Sequence, residues 1–320
     1  MPLVDIKNLT VSFPQHEGIV QAVRGISLCV EAGESVGIVG ESGSGKSVTC
    51  MAVLRLLRQP PARIAADRME LDGIDMLNAS RRQLAATRGK VAAMVFQDPM
   101  TAFDPVFTIG HQIVETIRAH RDTSVTEAKA EAMSLLASVK IKTPEAILNS
   151  YPHQLSGGML QRAMIAMALS CRPKILFADE PTTALDVTIQ AQILVLIKEL
   201  QAELGMGLIM VTHDLGVVAE TVDRVVVMYG GRVMEEGPVQ AIFDAPLHPY
   251  TQALLSSIPG RTAGKKRLVE IPGTSPNPAH PPSGCPFHPR CAVADPKCAA
   301  KAPAFAPVAE RRAAACWRPQ

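Results

Sequence analysis

Gly40-Glu41-Ser42-Gly43-Ser44-Gly45-Lys46-Ser47 meets every fixed position of the pattern G-x-x-x-x-G-K-S/T. The glycines let the backbone turn its N–H groups toward phosphate oxygens, at the positive end of a following helix. The residues marked out are Gly40, Ser42, Gly43, Ser44, Gly45, Lys46 and Ser47. In such a loop the lysine neutralises the β- and γ-phosphates and the serine hydroxyl binds Mg²⁺. The flanks agree. Ser35-Val36-Gly37-Ile38-Val39 reads as a buried strand ending at Gly40. Lys46 to Arg58 reads as a helix stopped by Gln59-Pro60-Pro61. A strand, a glycine turn and a helix in that order predict a nucleotide-binding α/β fold.

Outward from the loop, Val4 to Phe13 and Val20 to Val30 alternate like strands of an antiparallel sheet. Val91 to Phe96 is a further strand candidate, and from about Thr101 to Leu169 the pattern becomes helical. Ser124-Val125-Thr126-Glu127 matches a capping box, and Ser156 to Leu169 reads as another helix. Strands return at Ile175 to Ala178, Leu208 to Thr212 and Val225 to Tyr229, with a long helix from Val187 to Leu204 and a hairpin turn at Gly230-Gly231. This alternation predicts a mostly parallel sheet covered on both faces.

The chain of 320 residues can bury a sizeable core, and its net charge of +2 gives no pull toward nucleic acid or acidic lipid. No uncharged apolar run approaches the roughly 20 residues that span a bilayer. The start, Met1-Pro2-Leu3-Val4-Asp5, lacks the basic lead and apolar core of a signal peptide. The sequence therefore reads as soluble and intracellular, with reduced or metal-bound cysteines and no internal repeat.

Two further stretches say how a nucleotide is used. Ile175-Leu176-Phe177-Ala178-Asp179-Glu180 ends an apolar strand in two carboxylates, and Leu155-Ser156-Gly157-Gly158-Met159 opens a helix whose N–H groups face an anion. With the phosphate loop, this ordering resembles the ATP-binding-cassette (ABC) family. The resemblance implies a P-loop NTPase fold with an antiparallel β subdomain and a helical subdomain, binding ATP and Mg²⁺. It implies that Asp179 and Gln97 serve Mg²⁺, that Glu180 is the general base toward the attacking water, and that His213 contacts the γ-phosphate. It makes Phe13 the candidate for stacking on adenine, and Ala184-Leu185-Asp186 the loop that crosses between subunits. Ser156, Gly157 and Gly158 would meet the γ-phosphate held by an opposite subunit, so ATP would act as glue between two chains. The family's usual glutamine is replaced here by Met159, with the serine and glycines intact.

The end of the chain narrows the branch. His248-Pro249-Tyr250-Thr251-Gln252-Ala253-Leu254-Leu255, Ile271-Pro272-Gly273 and Cys285-Pro286-Phe287-His288-Pro289-Arg290-Cys291 resemble the D-type ATPase subunit of oligopeptide/dipeptide importers. That resemblance implies a heterodimer with a second related ATPase, two transmembrane permeases and an extracytoplasmic binding protein. It places the chain peripherally, at the cytoplasmic face of the inner membrane. Nickel, glutathione and sugar importers share the type, so the cargo stays open. Residues 1–258 read as the cassette, with its helical subdomain at about 101–169, and 259–320 as a small proline- and cysteine-rich extension needing a staple such as a metal. Cys285, Cys291, Cys298 and Cys316 are separated by five, six and seventeen residues. Thiolate clusters favour iron–sulfur or zinc. The resemblance implies a 4Fe–4S cluster, with zinc as the alternative. Cys29, Cys50 and Cys171 read as small core residues. A DNA- or ribosome-acting ABC protein would carry a long coiled coil or a second cassette, and neither is in the sequence; a regulator without turnover would lack Glu180.

Overall fold

A computed structural model describes residues 2–15, 18–183, 185–258 and 271–319. The chain divides into two compact units. One contains Pro2–Val30, Ser35–Leu77 and the chain from Met210 onward; the other contains Glu31–Glu34 and Asn78–Ile209.

In the unit that carries the phosphate loop, Val4–Gln15 and Gly18–Val30 form an antiparallel pair, with Val4 opposite Val30 and Phe13 opposite Val20. Val4, Ile6, Leu9 and Val11 turn inward, a near-alternate pattern that buries one face. Arg68–Leu71 and Arg63–Ala65 also pair with the first strand. Every residue of Ser35–Val39 and of Arg224–Tyr229 is buried, as parallel neighbours covered on both faces require. Gly230 and Gly231, at φ +54° and +77°, turn the chain back into Arg232–Pro238. Both glycines having positive φ is the requirement of a tight two-residue hairpin. Arg312–Ala314 then adds to Arg232–Pro238, and Ala306–Ala309 adds beyond it. The helix after the loop runs Lys46–Val53, shorter than the proline stop suggests. Leu54 caps it and Arg55 takes φ +56°, a left-handed exit made without glycine.

In the other unit, Ala92–Val95 and Ile175–Asp179 are parallel, with Ala92 opposite Ile175 and Val95 opposite Ala178. The helical stretch resolves into Ile109–His120, Val125–Ser138, Pro144–Leu148 and Gly157–Leu169. Ile109, Ile113 and Ile117 are spaced at i, i+4 and i+8 and are fully buried. The Ser124 capping box forms as expected: Ser124 Oγ accepts from Glu127 N–H, and the Glu127 carboxylate accepts from Ser124 N–H at 3.0 Å. Val187–Leu204 ends in Gly205 at φ +61°. Among the described residues no helix is long and apolar enough to cross a membrane.

Candidate functional site

The phosphate loop is fixed by close backbone approach. At Gly40 (φ +151°) a Cβ would sit 2.1 Å from Met228 O, and at Gly45 (φ +100°) 2.4 Å from Ala22 O. No side chain fits either position. Lys46 is 5% exposed, and its ammonium donates to Gly40 O at 2.8 Å and Glu41 O at 3.0 Å. Ser44 N–H reaches Glu41 O, and Gly231 N–H reaches Ser44 O, so the hairpin turn braces the loop. Ser44 Oγ is buried with no partner among the described residues. Ser42 and Gly43 face solvent, and Ser47 lies half-buried in the first helical turn. In the same unit Phe13 is half-buried and His213 is exposed, directly after the strand that ends at Thr212.

Sequence reasoning passed over Glu41 as a variable position. Its N–H donates to Tyr250 Oη at 2.9 Å, and its carboxylate is ion-paired with Arg290 at 2.7 Å. The available signal was indirect: Tyr250 and Arg290 both stand in the stretches that resemble peptide-importer ATPases.

In the second unit, Asp179 closes its strand at 6% exposure. Glu180 takes φ +46°, a conformation that costs an ordinary residue about 1–2 kcal/mol. Its carboxylate Oε2 accepts from Gln97 Nε2 at 3.0 Å and from Thr183 Oγ1 at 2.8 Å. Gln97 and Glu180 are thus brought together, and Thr183 is a third member that the sequence reading did not single out. Ser156 holds the N-cap position of its helix without a side-chain bond to it, and Ser156 and Gly157 are exposed. This end of a 13-residue helix therefore presents unsatisfied N–H groups to solvent. At Gly158 a Cβ would stand 2.9 Å from Ile189 Cγ2. Asp186 caps the helix Val187–Leu204 by accepting from Ile189 N–H at 3.0 Å. Ala184, the first residue of the crossing loop read from sequence, lies outside the described residues.

The iron–sulfur expectation is overturned, and zinc with it. Cys285, Cys291, Cys298 and Cys316 do line one pocket beside His248, Phe287 and Trp317. Yet among the described residues no group of three or more His, Cys, Asp or Glu side chains is arranged to hold a metal ion. Burial pushes the Cys285 thiol up to about 11 and also raises Cys291 and Cys316. Ring packing and backbone hydrogen bonds tie the region together. Phe287 is buried against Tyr229 and Tyr250, with ring centroids at 5.3 and 5.2 Å, and Cys285 N–H donates to Cys298 O at 2.8 Å. Of the remaining cysteines, Cys50 is buried as expected, whereas Cys29 is exposed and Cys171 half-buried.

The family profile described as "ABC transporter" matches residues 23–183, and that of the "Oligopeptide/dipeptide transporter, C-terminal region" matches 234–298. The chain is 49% identical over 317 residues to "Probable peptide ABC transporter ATP-binding protein" of Sinorhizobium fredii, covering 99% of this chain and 95% of that one. It is 47% identical to "Dipeptide transport ATP-binding protein DppD" of Escherichia coli, covering 100% of this chain and 97% of that protein. It is 55% identical over 259 residues to "Glutathione import ATP-binding protein GsiA" of Shigella dysenteriae, a match to 79% of this chain and 42% of that longer protein. Neither the profiles nor these relatives indicate an iron–sulfur cluster. Among solved structures, the dimeric ATP-binding cassette MJ0796 with ADP and phosphate superposes with a TM-score of 0.66 at 31% identity, covering 74% of this chain and 98% of that one.

Proposed function

The chain belongs to the ABC transporter family, and on that premise we propose that it is the ATP-hydrolysing subunit of a membrane importer for dipeptides or oligopeptides. One observation carries the cargo class: near-end-to-end identity of 47–49% to proteins named for dipeptide and peptide transport. The fold is that of an ABC P-loop ATPase. Within it we read residues 1–258 as the cassette, about 101–169 as its helical part, and 259–320 as an extension specific to the branch.

The residues fit ATP and Mg²⁺. The loop from Gly40 to Ser47 offers backbone N–H groups and the Lys46 ammonium to the phosphates. The family pattern assigns Ser47 and Asp179, each carrying a hard oxygen of the kind Mg²⁺ takes, to the metal. Mg²⁺, when bound, neutralises charge on the β- and γ-phosphate oxygens. Glu180, held by Gln97 and Thr183, polarises the attacking water as general base. His213 bears on the γ-phosphate and Phe13 on the adenine. Ser156, Gly157, Gly158 and Asp186 act toward nucleotide on the opposing subunit. ATP then joins two cassettes, hydrolysis releases them, and two permeases turn that motion into transport of a substrate delivered by a binding protein. We read the opposing ATPase as a related second chain, and the site of action as the cytoplasmic face of the inner membrane.

The test is uptake of a labelled dipeptide by a strain lacking this chain, with labelled glutathione, nickel and an oligosaccharide measured alongside. Selective loss of dipeptide uptake, restored by the wild-type chain, is expected. Normal dipeptide uptake with loss of one of the others overturns the cargo assignment.

A further inference from the structure

Glu41, the first variable position of the phosphate loop, is the point at which the C-terminal region grips that loop. Arg290 Nη1 donates to Glu41 Oε2 at 2.7 Å, and the Ser275 hydroxyl donates to the same oxygen. Arg290 spreads its other donors over Tyr229 Oη at 3.0 Å, Pro272 O at 2.8 Å and Ile271 O at 3.1 Å. Its guanidinium is planar and forked, so these bonds fix its position as well as its charge. The loop's backbone is gripped too, since Glu41 N–H donates to the buried Tyr250 Oη at 2.9 Å. The carbonyl of the same residue accepts from Lys46 Nζ at 3.0 Å. One residue therefore joins the C-terminal region to the lysine that meets the phosphates.

We propose that Arg290 is a positioning residue for nucleotide binding: by clamping Glu41 it holds the entrance of the phosphate loop in its binding geometry, so the C-terminal region sets the affinity for ATP. This rests on the reading that the loop binds a triphosphate. Exposed ion pairs contribute little, because water screens them. Here the Arg290 side chain is 8% exposed and that of Glu41 23%, so removing either partner leaves a largely desolvated charge without its counter-charge. The strain then falls on a loop already confined at Gly40 and Gly45. A clamp that only fastened the C-terminal region to the protein would predict a different outcome, namely lost stability with unchanged nucleotide affinity.

The experiment uses the full chain, with dissociation constants for ATP measured by titration and KM and kcat measured in the assembled transporter. Glu41→Gln leaves every Arg290 bond except that to Glu41 in place. It is expected to weaken ATP binding and raise KM about ten-fold, the size of one charge-assisted hydrogen bond, with kcat changed less than about two-fold. Arg290→Ala should do the same or more, and Arg290→Lys should recover part of the loss. The double variant Glu41→Gln/Arg290→Ala should be no weaker than Arg290→Ala alone, because both remove one interaction. Fluorescence of Trp317 reports whether the C-terminal region stays folded in each variant. Wild-type affinity and KM in Glu41→Gln and Arg290→Lys would overturn the proposal, as would additive losses in the double variant. Lys46→Ala separates the two readings: if it binds ATP like the wild type, the nucleotide site itself is misassigned, whatever Arg290 does.

Discussion

Lowering the pH should unfasten the C-terminal region through one imidazole. His248 is 1% exposed and caps the helix Pro249–Ser256, its Nδ1 accepting from Tyr250 N–H at 3.0 Å. That bond requires the neutral ring, because a protonated Nδ1 has no lone pair to offer. Burial lowers its pKa from 6.5 to about 4, and a hydrogen bond to the Ala315 backbone opposes the shift. Glu235, fully buried, accepts from the His248 backbone N–H at 2.8 Å and is itself ion-paired with Arg312 at 3.1 Å. Above pH 6.5 the ring is neutral in both folded and unfolded chains, and its full contribution is present. As the pH falls from there toward 4, the unfolded chain takes up a proton that the folded one refuses. Stability drops by about 1.4 kcal/mol per pH unit, reaching about 3 kcal/mol by the folded-state pKa. His248→Asn removes the titration but keeps a side-chain oxygen that can cap the helix. Trp317 is the only tryptophan, and its indole N–H bonds Lys301 O at 3.1 Å, so its fluorescence follows this region alone. Urea unfolding of both proteins from pH 7.5 to pH 4.5 should show the wild type losing about 2–3 kcal/mol more than the variant, since carboxylate titrations are common to both. Parallel stability curves would refute the assignment of the effect to His248.

Two further outcomes are expected. Glu180→Gln should lower ATP turnover about 10²- to 10⁴-fold while ATP still binds, as loss of a general base requires; phosphate release at the wild-type rate in the assembled transporter would reject that role. Phe287→Ala should destabilise the C-terminal region by about 3–5 kcal/mol, because it empties the centre of a ring cluster with Tyr229, Tyr250 and His248; an unchanged Trp317 unfolding midpoint would show that the cluster contributes little.

What the sequence disclosed and what it withheld divide along a physical line. The phosphate loop, the Ser124 capping box, the Gly230-Gly231 turn and the apolar strands are decided by neighbours a few residues apart, so composition and spacing record them. Arg55 departs from this even locally: a left-handed exit without glycine leaves no mark in the sequence. Glu41 and Arg290 are 249 residues apart, and Glu235 meets Arg312 across 77; neither pairing has a local pattern, only a place in the finished sheet. The cysteines show the opposite error. Their spacing supplied ligand types but nothing about their arrangement in the fold, which forms no metal-holding group among the described residues, and Phe287 packs among aromatic rings there instead. Motifs thus name the residues that would touch the nucleotide. The residues that hold those motifs in shape come from the least patterned part of the chain, and Glu41 is where the two sets meet. It is a position that the motif leaves free and that the fold does not.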